Sequence, residues 1–223
     1  MTTIFQGETQ CGVCGKQHTV SEIGSTSTFG SPDLDTRPAE MARSTIWAHV
    51  KRCPDCGYCA SNLSEVRPGA KEIVNSQRYR EQLTDANFPK LANSFLCLAI
   101  IEQELKDFSQ ATWAFIYAAW ACDDAKKPKQ AIECRRKAAE TLRIAEEQGQ
   151  KIGQAAGVST VILVDLLRRS GQAEEARKVI ASRRDQKFEK LISQILDFQE
   201  KLLDKNDVNC HTIVEASSEY KNN

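Results

Sequence analysis

The sequence carries the pattern Cys-x-x-Cys-Gly twice, as Cys11-Gly-Val-Cys14-Gly and as Cys53-Pro-Asp-Cys56-Gly. Two residues between cysteines allow a tight turn to direct both sulfurs at one point. The glycine that follows each pair suits the positive-φ position at which such a turn ends. Two of these turns supply four thiolates, which is the closed tetrahedral shell of a structural zinc site. The pair of motifs therefore predicts a zinc ribbon with one structural zinc ion held by Cys11, Cys14, Cys53 and Cys56.

A fifth cysteine, Cys59, extends the second motif to Cys-x-x-Cys-x-x-Cys, which is a fragment of an iron–sulfur motif. The fourth cysteine of that motif is missing, because Asn62 and Leu63 stand where it would be expected. We interpret Cys59 as an accessory thiol beside the zinc and expect it to be the readily alkylated cysteine of the ribbon. His18 and His49 lie close to the motifs, but four cysteines already complete the shell, so we interpret both as polar strand residues.

Composition limits the class of protein. The chain has 223 residues, 41% of them hydrophobic, and a formal net charge of zero, so no global field recruits nucleic acid or a membrane surface. Its nine cysteines are an odd number and are unevenly placed, unlike a secreted disulfide framework. The first residues have no basic region with an apolar run, and no apolar stretch is long enough to span a bilayer. These features predict a reduced, cytoplasmic protein without membrane segments.

The first 68 residues have the composition of strands and loops and are predicted to form the zinc-ribbon domain. Two strands are expected, at His18–Ile23 and at Ser44–Lys51, the second because apolar residues alternate along it. The intervening residues 24–40 are rich in Ser, Thr, Gly, Pro and Asp, which predicts a long loop insertion.

From residue 69 the helical period replaces this pattern, and proline and glycine become rare. Helices are predicted at 70–84, 90–106, 109–123, 128–149, 157–170, 172–184 and 186–204. Short turns between helices of similar length indicate stacked helical hairpins over residues 69–205. The last segment, 206–223, is predicted to be a polar, disordered tail. The fold class is thus α+β, with a small ribbon before an all-α array.

Two stretches resemble tetratricopeptide repeats. Lys106-Asp-Phe-Ser-Gln-Ala111 resembles the turn and second helix of that repeat, and Leu167-Arg-Arg-Ser-Gly171-Gln-Ala-Glu-Glu-Ala176 resembles the same turn. Small alanines in both stretches allow helices to approach closely. Glu102 stands where the repeat usually has an aromatic residue, so the number and register of repeats stay open.

Together these features resemble a bacterial protein family of unknown function with an N-terminal zinc ribbon and C-terminal tetratricopeptide-like helices. Besides the cysteine motifs, the resemblance rests on Ser31-Pro-Asp-Leu-Asp-Thr-Arg-Pro38, Ala118-Ala-Trp-Ala-Cys-Asp-Asp124 and Leu166-Leu-Arg-Arg-Ser-Gly171. It implies a zinc site at Cys11, Cys14, Cys53 and Cys56, and it implies no activity. Cys59 falls where such sequences usually have a small apolar residue.

Two further groups of residues are candidate sites. Asp33, Asp35 and Arg37 form a charged loop, interpreted either as a binding loop for a partner or ion or as a self-capping Asx-turn with an Asp–Arg pair. Residues 126–205 carry 18 basic and 12 acidic side chains. Their basic side chains are either a surface for an anionic partner or a solvated helix face. The candidate residues are Arg168, Arg169, Arg177, Lys178, Arg183, Arg184 and Lys187.

The sequence contains no Walker loop, nucleophile elbow, dinucleotide-binding glycine motif or zinc-protease histidine pair. Our first interpretation is therefore a non-enzymatic cytoplasmic adaptor, whose ribbon accompanies a helical scaffold that binds another protein. A nucleic-acid-associated ribbon protein with the basic helices as phosphate contacts is an alternative, disfavoured by the interleaved acidic residues. A second alternative is a redox- or metal-responsive switch in which Cys59 attacks or replaces a zinc thiolate.

Overall fold

The computed structural model describes residues 1–219 and confirms the α+β class, with a strand-containing N-terminal part before a helical array. Strand β1 (Thr2–Gln10) pairs antiparallel with β2 (Gln17–Thr26), and the short strand β3 (Lys51–Arg52) pairs with β4 (Cys59–Ala60). Each hairpin carries one cysteine motif in its turn. The hairpins therefore bring the two motifs together from positions far apart in the chain.

One predicted strand is wrong. Residues Ala42–His49 form a 3₁₀ helix, and only Lys51–Arg52 at the end of the predicted segment are strand. Ile46 and Val50 of this segment are buried in the core, and the ring of His49 stacks on that of Tyr117 with centroids 5.0 Å apart, so the segment packs on the array without being a strand. The other predicted strand is confirmed within β2, and β1 was not anticipated.

The predicted helices are present with small shifts at their ends. The first splits in two at Ser76, whose side chain accepts a hydrogen bond from the amide of Tyr79 and so begins a new helix. The array consists of α1 (Ala70–Asn75), α2 (Gln77–Leu83), α3 (Lys90–Glu104), α4 (Phe108–Asp124), α5 (Pro128–Glu147), α6 (Val158–Arg169), α7 (Ala173–Arg183) and α8 (Lys190–Asp204).

The turns after α3, α4, α5, α6 and α8 share one set of backbone hydrogen bonds. After α3, for example, the amide of Asp107 donates to the carbonyl of Glu102 over 2.8 Å. This is the Schellman motif, which requires one residue at positive φ. Gly149 and Gly171 occupy that position after α5 and α6. Residues with side chains occupy it in the other three turns, namely Lys106, Lys126 and Asn206.

The core of the array lies between successive helices, α3 against α4, α4 against α5 and α5 against α6. Alanines at the contacts, such as Ala114, Ala118 and Ala138, are each at most 1% exposed, so the helix backbones approach closely. This is the architecture of a stacked helical scaffold. The tetratricopeptide-like register of the repeats stays a prediction.

The segment after residue 205 is not the disordered tail that its polar composition suggested. Within the described residues it forms α9 (Ile213–Glu219), and its backbone pairs with the loop before the 3₁₀ helix. The amide of Leu34 donates to the carbonyl of His211, and the amide of Ile213 donates to that of Pro32, each over 2.9 Å. Residues 220–223 lie outside the described part of the chain.

The Schellman turns generate a prediction about stability. Lys126 is exposed with φ of 55°, and a left-handed conformation costs a non-glycine residue about 1 kcal/mol. We therefore expect Lys126→Gly to raise the free energy of unfolding by up to about 1 kcal/mol, as measured by urea denaturation.

Gly171→Ala is the matched control for this prediction. Gly171 has φ of 76°, and an added Cβ would meet nothing within 4 Å, so the substitution tests backbone strain alone. We expect it to lower the free energy of unfolding. A change of the same sign in both variants would contradict the explanation.

Candidate metal centre

The two cysteine turns have the same backbone geometry. In the first, the amide of Cys11 donates to the carbonyl of Lys16 over 2.8 Å, and the amide of Gly15 donates to the carbonyl of Cys11 over 2.7 Å. In the second turn, likewise, the amide of Cys53 donates to the carbonyl of Tyr58 over 2.8 Å, and the amide of Gly57 donates to the carbonyl of Cys53 over 3.0 Å. Gly15 and Gly57 have φ of 74° and 79°, as the sequence pattern predicted. In the second turn the amide of Cys56 also lies 3.5 Å from the sulfur of Cys53 and donates to it.

The four sulfurs form one cluster. All four Sγ atoms lie within 4.8 Å of one another, and none of these cysteines is in a disulfide. The Sγ atoms of Cys11 and Cys56 are 3.7 Å apart, as are those of Cys14 and Cys53. A tetrahedral shell with metal–sulfur bonds of about 2.3 Å has sulfurs about 3.8 Å apart. Donor type and spacing therefore suit a single metal ion, and this group could hold one.

Polar side chains border one side of the cluster. Nε2 of His18 lies 3.3 Å from Sγ of Cys53 and 3.5 Å from Oδ2 of Asp55, and Lys16 pairs with the other oxygen of Asp55. The ammonium of Lys16 lowers the pKa of Asp55. His18 is thus a strand residue, as predicted, and also a direct neighbour of the cysteine cluster. The sequence signal for this was its position seven residues after Cys11 on the strand that leaves the first turn.

Cys59 does not belong to the cluster, which corrects the expectation of a reactive accessory thiol. It is fully buried, and its thiol donates to the carbonyl of Gly57 over 3.3 Å. Its amide donates to the hydroxyl of Tyr79 on α2 over 3.0 Å. Cys59 therefore belongs to the contact between ribbon and array. An iron–sulfur ligand set that includes Cys53, Cys56 and Cys59 would need the sulfur of Cys59 to lie with the other sulfurs, and it does not.

The loop at 31–38 is not an exposed binding loop. Asp33, Asp35 and Arg37 are at most 4% exposed, and each bonds to a different part of the molecule. The Asx-turn is present, because the amide of Arg37 donates to Oδ1 of Asp35 over 3.2 Å. The guanidinium of Arg37, however, pairs with Asp124 at the end of α4, with both oxygens 2.7 Å from Nη2.

Asp35 is the centre of these contacts. Its Oδ2 accepts from Nε1 of Trp120 over 2.7 Å and from Nη1 of Arg169 over 3.1 Å. Complete burial raises the pKa of Asp35, and the nearby Asp165 adds to the shift, whereas Arg169 opposes it. A carboxyl group removed from water in this way is tolerated because its oxygens have hydrogen-bond donors.

The contacts continue into a network of charged side chains between the loop, the helices and the last segment. Nη2 of Arg169 also donates to Oδ2 of Asp123, and Arg135 of α5 donates to the same oxygen. Arg168 pairs with Asp165 over 2.7 Å and donates to two carbonyls of the last segment. The charge network consists of Asp33, Asp35, Asp123, Asp124 and Asp165 with Arg37, Arg43, Arg135, Arg168 and Arg169.

Equal numbers of acidic and basic groups make the charge network neutral. The network therefore has no excess positive charge with which to bind a phosphate or another anion. Its ion pairs instead hold loop 31–38 against α4 and α6, and α5 against α4, and we call this arrangement a structural clamp. Loop 31–38, the end of α4 and the end of α6 carried the sequence resemblance together with the cysteine motifs, and these three stretches meet here. Local patterns could not indicate this, because Asp35 and Arg169 are separated by 134 residues.

The basic residues predicted as an anionic-partner surface do not form one patch. Arg168 and Arg169 are in the charge network, and Arg168 is 1% exposed. The other paired members lie on the surface, each beside a carboxylate. The pairs are Arg177 with Asp204, Lys178 with Glu175, Arg183 with Glu146, and Arg184 with Glu200. Lys187 is exposed.

A groove lies on the helical array. It has a volume of about 680 Å³ and lies between α2, α3 and α5. Buried Leu96, Ile100 and Phe115 form its floor. Charged and polar side chains form its rim, among them Arg78, Glu81, Asp85, Lys137 and Glu140.

Comparison with known proteins gives one result. The model of a family described as an uncharacterized protein conserved in bacteria, DUF2225, matches residues 4–205. The chain belongs to this family. The match includes all four clustered cysteines and extends beyond the end of α8, which confirms the resemblance inferred from the sequence motifs. No curated protein and no solved structure matches the chain.

The helices at 70–219 differ from a membrane span in length or hydropathy. None of them is both long enough and apolar enough to cross a bilayer.

Removing Asp35 should weaken the contact between loop and array. We expect Asp35→Ala to lower the free energy of unfolding by about 3 kcal/mol, because it leaves Arg169 and Trp120 as buried donors without their acceptor. Urea denaturation followed by far-UV circular dichroism, which reports on the helices, measures the change.

Asp204→Ala is the control, because Asp204 also pairs with an arginine but lies on the surface with its side chain 68% exposed. We expect its effect to stay within about 0.5 kcal/mol. Equal effects of the two substitutions would show that the loop is not a clamp.

Thiol labelling should separate the cysteines by environment. In the metal-loaded protein, Cys59, Cys97, Cys122 and Cys134 are fully buried and should stay unmodified, whereas Cys210 is exposed. Partial burial of its thiol, together with Asp33 as hydrogen-bond acceptor, raises the pKa of Cys210 to about 12. Its alkylation rate should therefore keep rising about tenfold per pH unit from pH 7 to 10, where a thiol of pKa near 8.5 has levelled off.

Mass-mapped alkylation at several pH values tests this expectation. Rapid modification of Cys59 in the folded protein, or a rate at Cys210 that levels off near pH 9, would contradict it.

Proposed function

We propose that the protein is a cytoplasmic, zinc-binding adaptor that uses its helical array to bind another protein. The metal centre is structural, with one zinc ion held by Cys11, Cys14, Cys53 and Cys56. The array presents the binding surface. Neither part is assigned a catalytic role.

The donor set supports zinc. Four thiolates at tetrahedral spacing suit a borderline-soft ion without geometric demands of its own, and zinc is the common occupant of such sites. Four protein ligands leave no position for a metal-bound water, so Lewis-acid hydrolysis has no place at this centre. The ion instead stabilises the mostly exposed β1–β2 hairpin by joining it to the second hairpin, which is buried against the array.

The groove between α2, α3 and α5 is the observation that carries the adaptor proposal. Its volume of about 680 Å³ is in the range of binding clefts, and an apolar floor beneath a polar rim is the usual composition of such sites. Stacked helical hairpins commonly bind partners on surfaces of this kind. Glu140 is exposed on the rim and available to a partner.

Elemental analysis tests the metal. We expect one zinc ion per chain in the purified protein and its loss in Cys53→Ser, because three thiolates no longer close the shell. A brown protein that contains iron and acid-labile sulfide would overturn the assignment.

Affinity capture from bacterial cytosol tests the groove. Zinc-loaded protein should retain a partner that is lost when the rim charges are reversed in Glu81→Arg, Glu140→Arg. Glu174→Arg is the control, since Glu174 lies on α7 with its side chain 86% exposed and outside the groove. Equal capture by both variants would exclude the groove as the binding surface. Recovery of nucleic acid that dissociates steeply with salt would instead support the nucleic-acid alternative.

A further inference from the structure

Strand β1 leaves one edge without a partner. Within residues 1–219 its sheet has two strands only, and β2 lies on the side toward the 3₁₀ helix, where Glu22 also binds Lys51 over 2.6 Å. The backbone groups on the other edge of β1 therefore face away from the ribbon. Such an edge is a template for another extended chain.

The edge lacks the features that usually prevent pairing. β1 has nine residues without proline, lysine or arginine, and Glu8 is its only charge. The single irregularity of the hairpin lies on β2, where Gly24 has no partner between Thr3 and Ile4, so β1 itself stays regular. Long, regular and uncharged edges are the ones that proteins use for pairing or must protect.

Apolar side chains on both faces of β1 are left in water. Ile4 is 55% exposed and Phe5 50% exposed, and they point to opposite faces because they are adjacent in a strand. Because they lie on opposite faces, the two side chains cannot shield each other from water. A sheet continued beyond β1 would cover both.

We infer that this edge pairs with β1 of a second copy of the chain, so that two hairpins form one four-stranded sheet across a two-fold axis. A partner strand rich in charge would lose hydration here without finding opposite charges, because the edge offers only Glu8. The strand that suits the edge is one that is itself uncharged over its centre, as β1 is.

Geometry selects the register. Directly opposite residues of an antiparallel pair point to the same face of the sheet. The two-fold axis between two copies of β1 must therefore lie midway between two copies of the same residue, and the register is named below by that residue. An axis at Gln6 places Ile4 opposite the carboxylate of Glu8, and an axis at Ile4 leaves the strand beyond Gln6 unpaired. An axis at Phe5 places the two Phe5 rings opposite each other, Ile4 opposite Gln6, and Glu8 opposite Thr2.

The register at Phe5 gives a cross-strand aromatic pair on one face and brings the two Ile4 side chains into diagonal contact on the other. No like charges face each other in it. A single strand pair is small compared with about 800 Å² per partner in a standard interface, so the dimer should dissociate in the micromolar range.

Light scattering coupled to size exclusion tests the dimer on the untagged, zinc-loaded full chain, from about 1 to 100 μM. We expect a shift from monomer to dimer over this range that Phe5→Lys abolishes, because it places two ammonium groups together on the two-fold axis. Within each hairpin this substitution faces Glu22, so the hairpin itself keeps a favourable pair. Zinc content and circular dichroism should stay unchanged.

Phe29→Lys is the matched control. Phe29 is 67% exposed and lies outside both strands, so its replacement removes a similar apolar ring without affecting the edge. The control should dimerise as the unmodified chain does. A monomer at every concentration, a dimer that survives Phe5→Lys, or equal loss in both variants would overturn the inference.

Discussion

The hydrogen bonds of Asp35 constrain the whole molecule. Its buried carboxyl group receives Trp120 from α4 and Arg169 from α6. Without these donors its burial would cost several kcal/mol, and without it Nη1 of Arg169 would lose its hydrogen-bond acceptor and Arg169 would keep only Asp123 and Asp165 as partners. Loop, α4 and α6 therefore stabilise one another through this carboxyl group. Because the loop connects the two cysteine hairpins in sequence, this also fixes the ribbon on the array.

The cysteine cluster and the charge network connect different parts of the molecule: the cluster joins the two hairpins, and the network joins loop 31–38 to the helical array. The β1–β2 hairpin is mostly exposed and contributes little to the core, so a metal ion bound by the cysteine cluster would supply much of the local stability of this hairpin. The second hairpin depends on the array, since Cys59 and Tyr58 are fully buried against it. A metal ion that joins Cys11 and Cys14 to Cys53 and Cys56 thus attaches an exposed hairpin to an anchored one.

The features predicted from the sequence are those set by neighbouring residues. The cysteine turns with Gly15 and Gly57, and the helices with their amphipathic period, depend on local backbone and local pattern. The 3₁₀ helix, the burial of Cys59 and the ordered segment after residue 205 depend on distant partners, namely Tyr117, Tyr79 and Pro32. Ile46 and Val50 are buried, as their alternation suggested, but Ala48 is only half-buried and Thr45 on the other face of the predicted strand is buried too, so the alternation did not report the conformation.

Placement of the charges decides which surfaces are available for recognition. Arg168, Arg169 and the loop aspartates looked like binding groups in the sequence because charged residues are usually exposed. Once they are paired inside the molecule, their interaction energy maintains the fold and cannot be used for a ligand without disrupting it. Among the described residues, two surfaces have groups that are not engaged within the molecule and are available for recognition. They are the groove with Glu140 on its rim and the free edge of β1. The first offers side chains and the second offers backbone hydrogen-bonding groups, so the two surfaces differ in the chemistry of recognition that they support.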